Sequence, residues 1–272
     1  MARIKKGLTN FDLKIIGIVL MLVDHIHEEL GPLGIPTWFD MLGRVVAPIF
    51  IFLSVEGFTH THNKFKYMQR LLIGFWIMSF GSFIIQKSFP VDGGRFALVN
   101  NIFATLLLGV VSMYAIEHIS QGYQRKDSRQ LWRGISILLA EILVSSAVLI
   151  LMTIGSESIQ LFSAITTMVI PNIFITEGGI LYVILAVMLY LFRNHRNFQI
   201  ASLALIAFLS TDFNFTNLLT SNYNWMLVFA AIPIWFYNGQ KGHSSKYFFY
   251  IFYPAHIWLL YLIAYSLNLK GF

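Results

Sequence analysis

Long apolar segments separated by short polar loops are the feature of this sequence that most limits its fold. A helix needs about 20 apolar residues to cross the hydrocarbon core of a bilayer. Nine segments approach that length, at residues 10–30, 38–59, 68–86, 98–118, 132–153, 172–192, 197–211, 224–237 and 247–267. Only 12% of the residues are charged, against about 25% in soluble domains. We therefore predict an all-α, polytopic membrane helix bundle of about nine transmembrane helices.

The distribution of Lys and Arg predicts the orientation of this bundle. With a cytoplasmic N-terminus, most basic residues fall on the cytoplasmic side, and only Lys87, Arg95 and Lys270 remain outside. That asymmetry follows the positive-inside rule. It requires that residues 154–171 do not cross the membrane, so we expect an outer amphipathic or re-entrant segment there. We find no internal repeat or linker and expect one domain, residues 1–272.

The start of the chain and its lack of cysteine narrow the possibilities further. A basic stretch precedes the first apolar segment, as in a secretory signal, but no small-residue cleavage site follows. We interpret this segment as the first transmembrane helix. The chain contains no cysteine, which excludes thiolate metal sites and a cysteine nucleophile.

The first helix carries a polar sequence, "DHIHEE", near its outer end. Ionisable groups inside a membrane span are costly and mark functional sites. We therefore select Asp24 and His25, because a carboxylate beside an imidazole can fix its tautomer and raise its basicity. We expect His27, Glu28 and Glu29 to mark the solvated helix end.

The second segment carries two further ionisable residues, Arg44 near its outer end and Glu56 near its inner end. Twelve residues of helix separate them by about 18 Å, so each needs another partner or a water-filled path. Pro48 lies between them and predicts a kink.

Polar residues also open the fourth and sixth segments. Asn100 and Asn101 are interpreted as helix caps or as hydrogen-bond donors into a cavity. Glu177 is placed a short way into the sixth span, before two glycines that permit close helix approach.

The last segment combines a basic loop with a membrane histidine. Lys241 and Lys246 lie in a glycine-containing loop that can hold an anionic phosphate group. His256 follows the helix-perturbing Pro254 inside the span. A second buried histidine and a basic mouth favour function over simple packing.

At these residues the sequence resembles the TraX-like integral-membrane acetyltransferase family, named for the conjugation protein that acetylates the N-terminus of F-type pilin. The matching blocks run in order over most of the chain: "LVDHI", "GRVVAPIFIFLSVEGFTHT", "NNIFATLLLG", "YNGQKG" and "KYFFYIFYPAH". "TEGG" departs from the Asp-Tyr-Gly-like motif expected there, and a lysine replaces the arginine frequent in the loop.

The resemblance implies a transmembrane acyltransferase in the bacterial cytoplasmic (inner) membrane. Such an enzyme would move an acetyl group from cytoplasmic acetyl-CoA to an amine or hydroxyl acceptor at the outer side. The acceptor stays open as a peptide N-terminus, a glycan or a small molecule; the lipid bilayer is an expected partner and nucleic acid is not.

The resemblance also implies roles for the selected residues. His25, oriented by Asp24, would be the general base, Arg44 would stabilise negative charge, and His256 would act near the leaving thiolate. The remaining candidates for substrate or cofactor binding are Glu56, Asn100, Asn101, Glu177, Asn238, Lys241, Lys246 and Tyr253. No metal site is predicted.

Two other classes of function stay open. Membrane Asp, Glu and His residues also build proton relays, so a proton-coupled transporter of a small solute is the first alternative. The second is a non-catalytic assembly partner in a secretion or conjugation machine.

Overall fold

A computed structural model describes residues 7–91, 97–243 and 246–269, and it leaves out the side chains of residues 246 and 247. These ranges are α-helical apart from two 3₁₀ segments, turns and one isolated β-bridge between Leu8 and Tyr237. The predicted all-α class is confirmed at this level.

The helices follow the apolar segments of the sequence closely. They are α1 (Asn10–Leu30), α2 (Trp38–Gly43), α3 (Val46–His60), α4 (Lys64–Ser88), α5 (Ile102–Arg125), α6 (Ser128–Ile154), α7 (Glu157–Val169), α8 (Gly179–Leu191), α9 (Arg196–Leu209), α10 (Ala231–Trp235) and α11 (Lys246–Ser266). The 3₁₀ segments are Gly31–Leu33 and Asn224–Ala230.

Five helical stretches within the described ranges are long and apolar enough to cross a membrane. They are Trp38–His60, Lys64–Ser88, Ile102–Arg125, Ser128–Ile154 and Phe248–Ser266. Three apolar helices are shorter, at Gly179–Leu191, Arg196–Leu209 and Asn224–Trp235. A membrane protein is therefore supported, while the count of nine spans and the cytoplasmic N-terminus stay predictions.

The second predicted segment is interrupted one turn before Pro48. The α-helix stops at Gly43 and resumes at Val46. Proline lacks an N–H and its ring clashes with the carbonyl four residues earlier, which here belongs to Arg44. The interruption therefore has a local cause.

The segment predicted to lie outside the membrane forms α7. Its 13 residues rise about 20 Å at 1.5 Å per residue, short of the roughly 30 Å of a bilayer core. The indole N–H of Trp76 in α4 donates to the Val169 carbonyl at 2.9 Å and fixes the end of α7. Length alone therefore favours a helix that does not cross.

The chain divides into two compact units. Unit 1 consists of Met1–Leu53, Ser82–Val99 and Phe192–Phe272. Unit 2 consists of Ser54–Gly81 and Asn100–Leu191. The sequence predicted a single domain, and that grouping stays a prediction.

Unit 1 is built around α1, which packs against α2 and α11. The buried face of α1 repeats every fourth residue, through Leu13, Gly17, Met21, His25 and Glu29. Such spacing places side chains on one helix face. We call this face the buried stripe of α1. Its first three residues are apolar, and its two ionisable residues, His25 and Glu29, follow.

Unit 2 is built around α5, which packs against α6 and α8. Glycine lets the helices approach closely: a Cβ on Gly134 would lie 2.5 Å from the Ala115 carbonyl oxygen, and one on Gly109 would lie 2.9 Å from the Ala186 Cβ. Small residues at helix contacts are typical of membrane bundles.

Candidate functional site

Two histidines from distant parts of the sequence meet inside unit 1. His25 in α1 and His256 in α11 are 5% and 6% exposed. Their Nδ1 and Nε2 atoms are 2.7 Å apart, and the rings stack with centroids 4.9 Å apart. Tyr253, one of the predicted binding residues, presents an edge contact to both rings. The structure thus joins three residues that the sequence selected separately.

The hydrogen bonds of the pair define its tautomers. His256 Nδ1 lies 2.7 Å from the Phe252 carbonyl oxygen, which only accepts, so Nδ1 carries a proton. In the neutral pair, His256 Nε2 then accepts from the Nδ1–H of His25. The His25 Nε2 keeps its lone pair and lies 3.7 Å from Glu28 Oε2. A proton added to Nε2 would therefore face a carboxylate.

Asp24 faces Arg44. Arg44 Nη2 lies 3.5 Å from Asp24 Oδ1, and Arg44 Nε donates to the Asp40 carbonyl at 3.2 Å. A Cβ on Gly43 would lie 2.0 Å from the Asp24 carboxyl group, so only glycine allows this approach. The sequence paired Asp24 with His25; the ring nitrogens of His25 instead face His256 and Glu28.

Asp40 in α2 connects α1 to Tyr223, the residue before the second 3₁₀ segment. Its Oδ1 lies 2.9 Å from His27 Nδ1, and its Oδ2 accepts from the Tyr223 hydroxyl at 2.9 Å. Burial, followed by this hydrogen bond, raises the pKa of Tyr223 to about 12. Arg44 lies over the same ring, 5.8 Å from its centroid.

Glu29 completes this set on the buried stripe of α1. It is 4% exposed, and its Oε2 atom is buried with no hydrogen-bond partner among the described residues. The prediction that His27 and Glu29 mark a solvated helix end is wrong, because both side chains are buried.

Arg44 also interacts electrostatically with His25, so the contacts of Asp24 and Asp40 join those of the histidine pair in one group, which we call the polar cluster. It consists of Asp24, His25, His27, Glu28, Glu29, Asp40, Arg44, Tyr223, Tyr253 and His256. The cluster can accept and share protons through its imidazoles, and it can hold a positively charged group through its carboxylates.

The sequence missed Asp40, Tyr223 and the burial of His27 and Glu29. Two signals were available. Asp40 is an ionisable residue inside a predicted span, and Glu29 continues a four-residue spacing that begins at Leu13. No local signal marks Tyr223, which reaches Asp40 from 183 residues away.

Several predicted site residues belong to unit 2. The Glu56 side chain is 15% exposed, and His60 lies against it and against its carbonyl. Asn101 precedes α5, but its side chain makes no capping bond and donates to the Phe75 carbonyl and to Ser79 in α4. The preceding residue, Asn100, is half-buried. Of the two predicted roles, cap or hydrogen-bond donor, the Asn101 side chain therefore acts as a donor.

Glu177 occupies a different position from the one predicted. It lies in the turn before α8, which begins at Gly179, so it is outside the helix and its side chain is exposed. Its carbonyl accepts from the Thr105 hydroxyl at 2.8 Å. The main chain of Glu177 thus contacts α5.

The predicted basic loop packs against the start of α1. Asn238 donates to the Gly7 carbonyl and accepts from the Gln240 N–H, while its backbone pairs with Leu8. Lys241 is exposed, and the side chain of Lys246 lies outside the described residues. Asn238 thus joins the loop to Gly7 and Leu8, the residues just before α1.

Comparison with known proteins identifies relatives of the whole chain. The model of the family described as "TraX protein" matches residues 10–264. A curated relative, "Probable fimbrial assembly protein FimC, serogroup H1" of Dichelobacter nodosus, is 25% identical over 261 residues, covering 92% of this chain and 93% of its own. No solved structure matches.

These matches correct the predicted function. The curated relative is named as a fimbrial assembly protein, and the matches support neither the acetyl-CoA-dependent acyltransferase nor the proton-coupled transporter, so both predictions are wrong. The matches test neither the binding of acetyl-CoA nor an acceptor at the outer side, so both stay predictions from the sequence. The resemblance to TraX-like proteins is confirmed without its acetyltransferase part: the chain belongs to the TraX family.

Proposed function

We propose that this protein is a membrane component of pilus or fimbrial assembly, located in the bacterial cytoplasmic membrane. The observation that carries the proposal is the similarity to a probable fimbrial assembly protein over nearly the full length of both chains. Similarity over one short motif would transfer only a site, whereas this similarity covers 92% of the chain, and the family match runs from residue 10 to residue 264.

The polar cluster is the part of the protein that we assign to this work. Burying ionisable groups in a membrane helix is costly unless they pair or face a ligand. Helix packing alone needs small residues and pairwise polar contacts of the kind found in unit 2. The cluster instead gathers ionisable groups from α1, α2 and α11, which suits recognition of a polar segment on a pilus subunit or on another assembly protein.

Deletion and complementation of the gene test the proposal. We expect the deletion strain to lose surface pili, counted by electron microscopy, while pilin still accumulates in its membrane fraction. Wild-type protein expressed from a plasmid should restore the pili. The matched control is a plasmid carrying Arg133→Gln, a change at an exposed position of α6, which should restore them equally well.

Two results would contradict the proposal. The first is a normal number of pili in the deletion strain. The second is a loss of pili that follows from absent pilin, because the protein would then act on pilin production and not on assembly.

A further inference from the structure

We infer that Glu29, together with Glu28, forms a binding subsite for a guanidinium group, the side chain of an arginine on a partner protein. The inference rests on the proposed function in that the partner is a component of pilus assembly. It goes beyond that function by naming the chemistry that the site recognises.

The first observation is the state of the Glu29 carboxyl. Its residue is 4% exposed and its Oε2 has no hydrogen-bond partner among the described residues. An unsatisfied buried oxygen is unfavourable, and most such atoms have a protein or water partner. The described part of the chain therefore supplies no hydrogen-bond donor to this oxygen, and a bound ligand can supply one.

The second observation is the charge around it. The cluster contains the four carboxyl groups of Asp24, Glu28, Glu29 and Asp40, but only one guanidinium. Arg44 already faces Asp24 and donates to the Asp40 carbonyl. An added cation would thus reduce the repulsion among these groups, and Glu29 interacts electrostatically with its neighbour Glu28.

The third observation is the position of Glu29. It lies one turn after His25 on the buried stripe of α1, and it also interacts electrostatically with Tyr261, a fully buried residue of α11. Glu28 is more open, with a side chain 37% exposed. A partner side chain can therefore meet the exposed carboxylate first and the buried one next.

A guanidinium suits this arrangement better than an ammonium. It is planar, carries five donors in a rigid fork and is more weakly hydrated, so it loses less on entering a buried site. Its fork can make two parallel hydrogen bonds to a carboxylate, and such charged hydrogen bonds are the strong ones.

The competing account is that Glu29 is a neutral, protonated acid with no ligand. Glu29→Gln separates the two accounts, because glutamine copies the shape and polarity of the neutral acid but lacks its charge. If Glu29 is neutral, the change is silent. If Glu29 holds a guanidinium, the change removes the charge that binds it.

The experiment uses the full chain in lipid nanodiscs and a matched pair of capped pentapeptides. One peptide has a central arginine between alanines, and the other has citrulline, which keeps the shape and removes the charge. Binding is measured by isothermal titration calorimetry. We expect saturable binding of the arginine peptide. The citrulline peptide should bind at least about tenfold more weakly, which is the usual effect of losing a charged hydrogen bond.

Variants locate the binding. Glu29→Gln should weaken the arginine peptide about tenfold, and Glu29→Asp, which keeps the charge, should retain part of the affinity. Glu157→Gln at an exposed position of α7 is the control and should bind as wild type does. Thermal unfolding of each variant shows whether the fold is intact.

Three results would overturn the inference. Equal binding of both peptides would show that charge is not recognised. Unchanged binding by a folded Glu29→Gln would identify Glu29 as a neutral acid. A gain of arginine-peptide binding in Arg95→Gln, at a position outside the described residues, would show that the chain's own arginine fills the site. Normal pilus numbers in the deletion strain would instead contradict the proposed function.

Discussion

The polar groups of the two units are organised differently. In unit 1, histidines, carboxylates, a guanidinium and a tyrosine form one cluster that links α1, α2, α11 and the residue before the second 3₁₀ segment. In unit 2, polar contacts join two elements at a time. Examples are Ser112 with Glu141, Thr105 with Thr176, Ser54 with Tyr67, and the ion pair of Lys64 with Glu117.

This difference separates polar contacts that hold helices together from those that serve a site. A pairwise bond satisfies the groups that a helix contact buries, and such bonds between membrane helices stabilise them by about 1 kcal/mol. A cluster with several carboxyl groups and two stacked imidazoles exceeds what packing requires. We therefore place the function in unit 1 and the simple packing contacts in unit 2.

Removing the Asp40 side chain should give the largest loss of stability. Asp40→Ala leaves the partly buried donors of His27 and Tyr223 without their acceptor. We expect the free energy of unfolding, measured by denaturant titration in mild detergent, to fall by about 2–4 kcal/mol.

The matched control for Asp40 is Asp127, an exposed acid that caps α6 through the N–H groups of Arg129 and Gln130. Asp127→Ala should cost about 1 kcal/mol, as the loss of an N-cap does. If the two substitutions cost the same, Asp40 is an ordinary contact and the comparison between the units fails.

Substitution of Gly43 should have the next largest effect. In Gly43→Ala the new Cβ meets the Asp24 carboxyl group at 2.0 Å, and overpacking of this kind costs about 1–3 kcal/mol. Asp24→Ala vacates that space. Adding Gly43→Ala to Asp24→Ala should therefore cost nothing, and an equal penalty in both backgrounds would contradict the geometry.

A pairwise contact of unit 2 should matter less, and only for stability. Ser112→Ala removes the donor to Glu141 Oε2 and should lower the free energy of unfolding by about 1 kcal/mol. Surface pili, counted by electron microscopy, should stay at the wild-type number. A loss of pili with normal protein abundance would place function in unit 2 as well.

Titration of Tyr223 should give the smallest effect. Burial and the bond to Asp40 raise its pKa from the ordinary value of 10.0 to about 12. Folding therefore favours the protonated phenol, and its stabilisation is present below pH 10 and lost as the pH rises toward 12. Wild type should lose more stability over that interval than Tyr223→Phe, whereas parallel curves would contradict the buried bond.

The sequence predicted the helices well because apolar length sets them. The predicted segment 10–30 coincides with α1, and the segment 224–237 begins where the second 3₁₀ segment begins. The differences arise from local chemistry: Pro48 interrupts the second segment at Arg44, and the turn containing Glu177 delays the start of α8 to Gly179.

The candidate site was predicted only in part. His25 and His256 stood out because each is ionisable inside an apolar segment, but their pairing across 231 residues has no local pattern. His27 and Glu29 were taken for a helix end because charge usually marks solvent, yet α2 and α11 cover that end in unit 1. The predicted acyltransferase failed for a different reason: family resemblance carries a fold more reliably than a reaction.

The most direct test of the central claim compares two helical histidines, one from each unit, in the deletion strain. His25→Ala breaks the histidine pair of unit 1. His118→Ala in α5 removes a histidine whose Nδ1 hydrogen-bonds to the carbonyl of Tyr114 in its own helix, at 3.1 Å. With both proteins at wild-type abundance in the membrane, we predict fewer surface pili than in wild type for His25→Ala, since buried ionisable clusters mark function, and normal numbers for His118→Ala. Equal pilus numbers in the two strains would contradict the account.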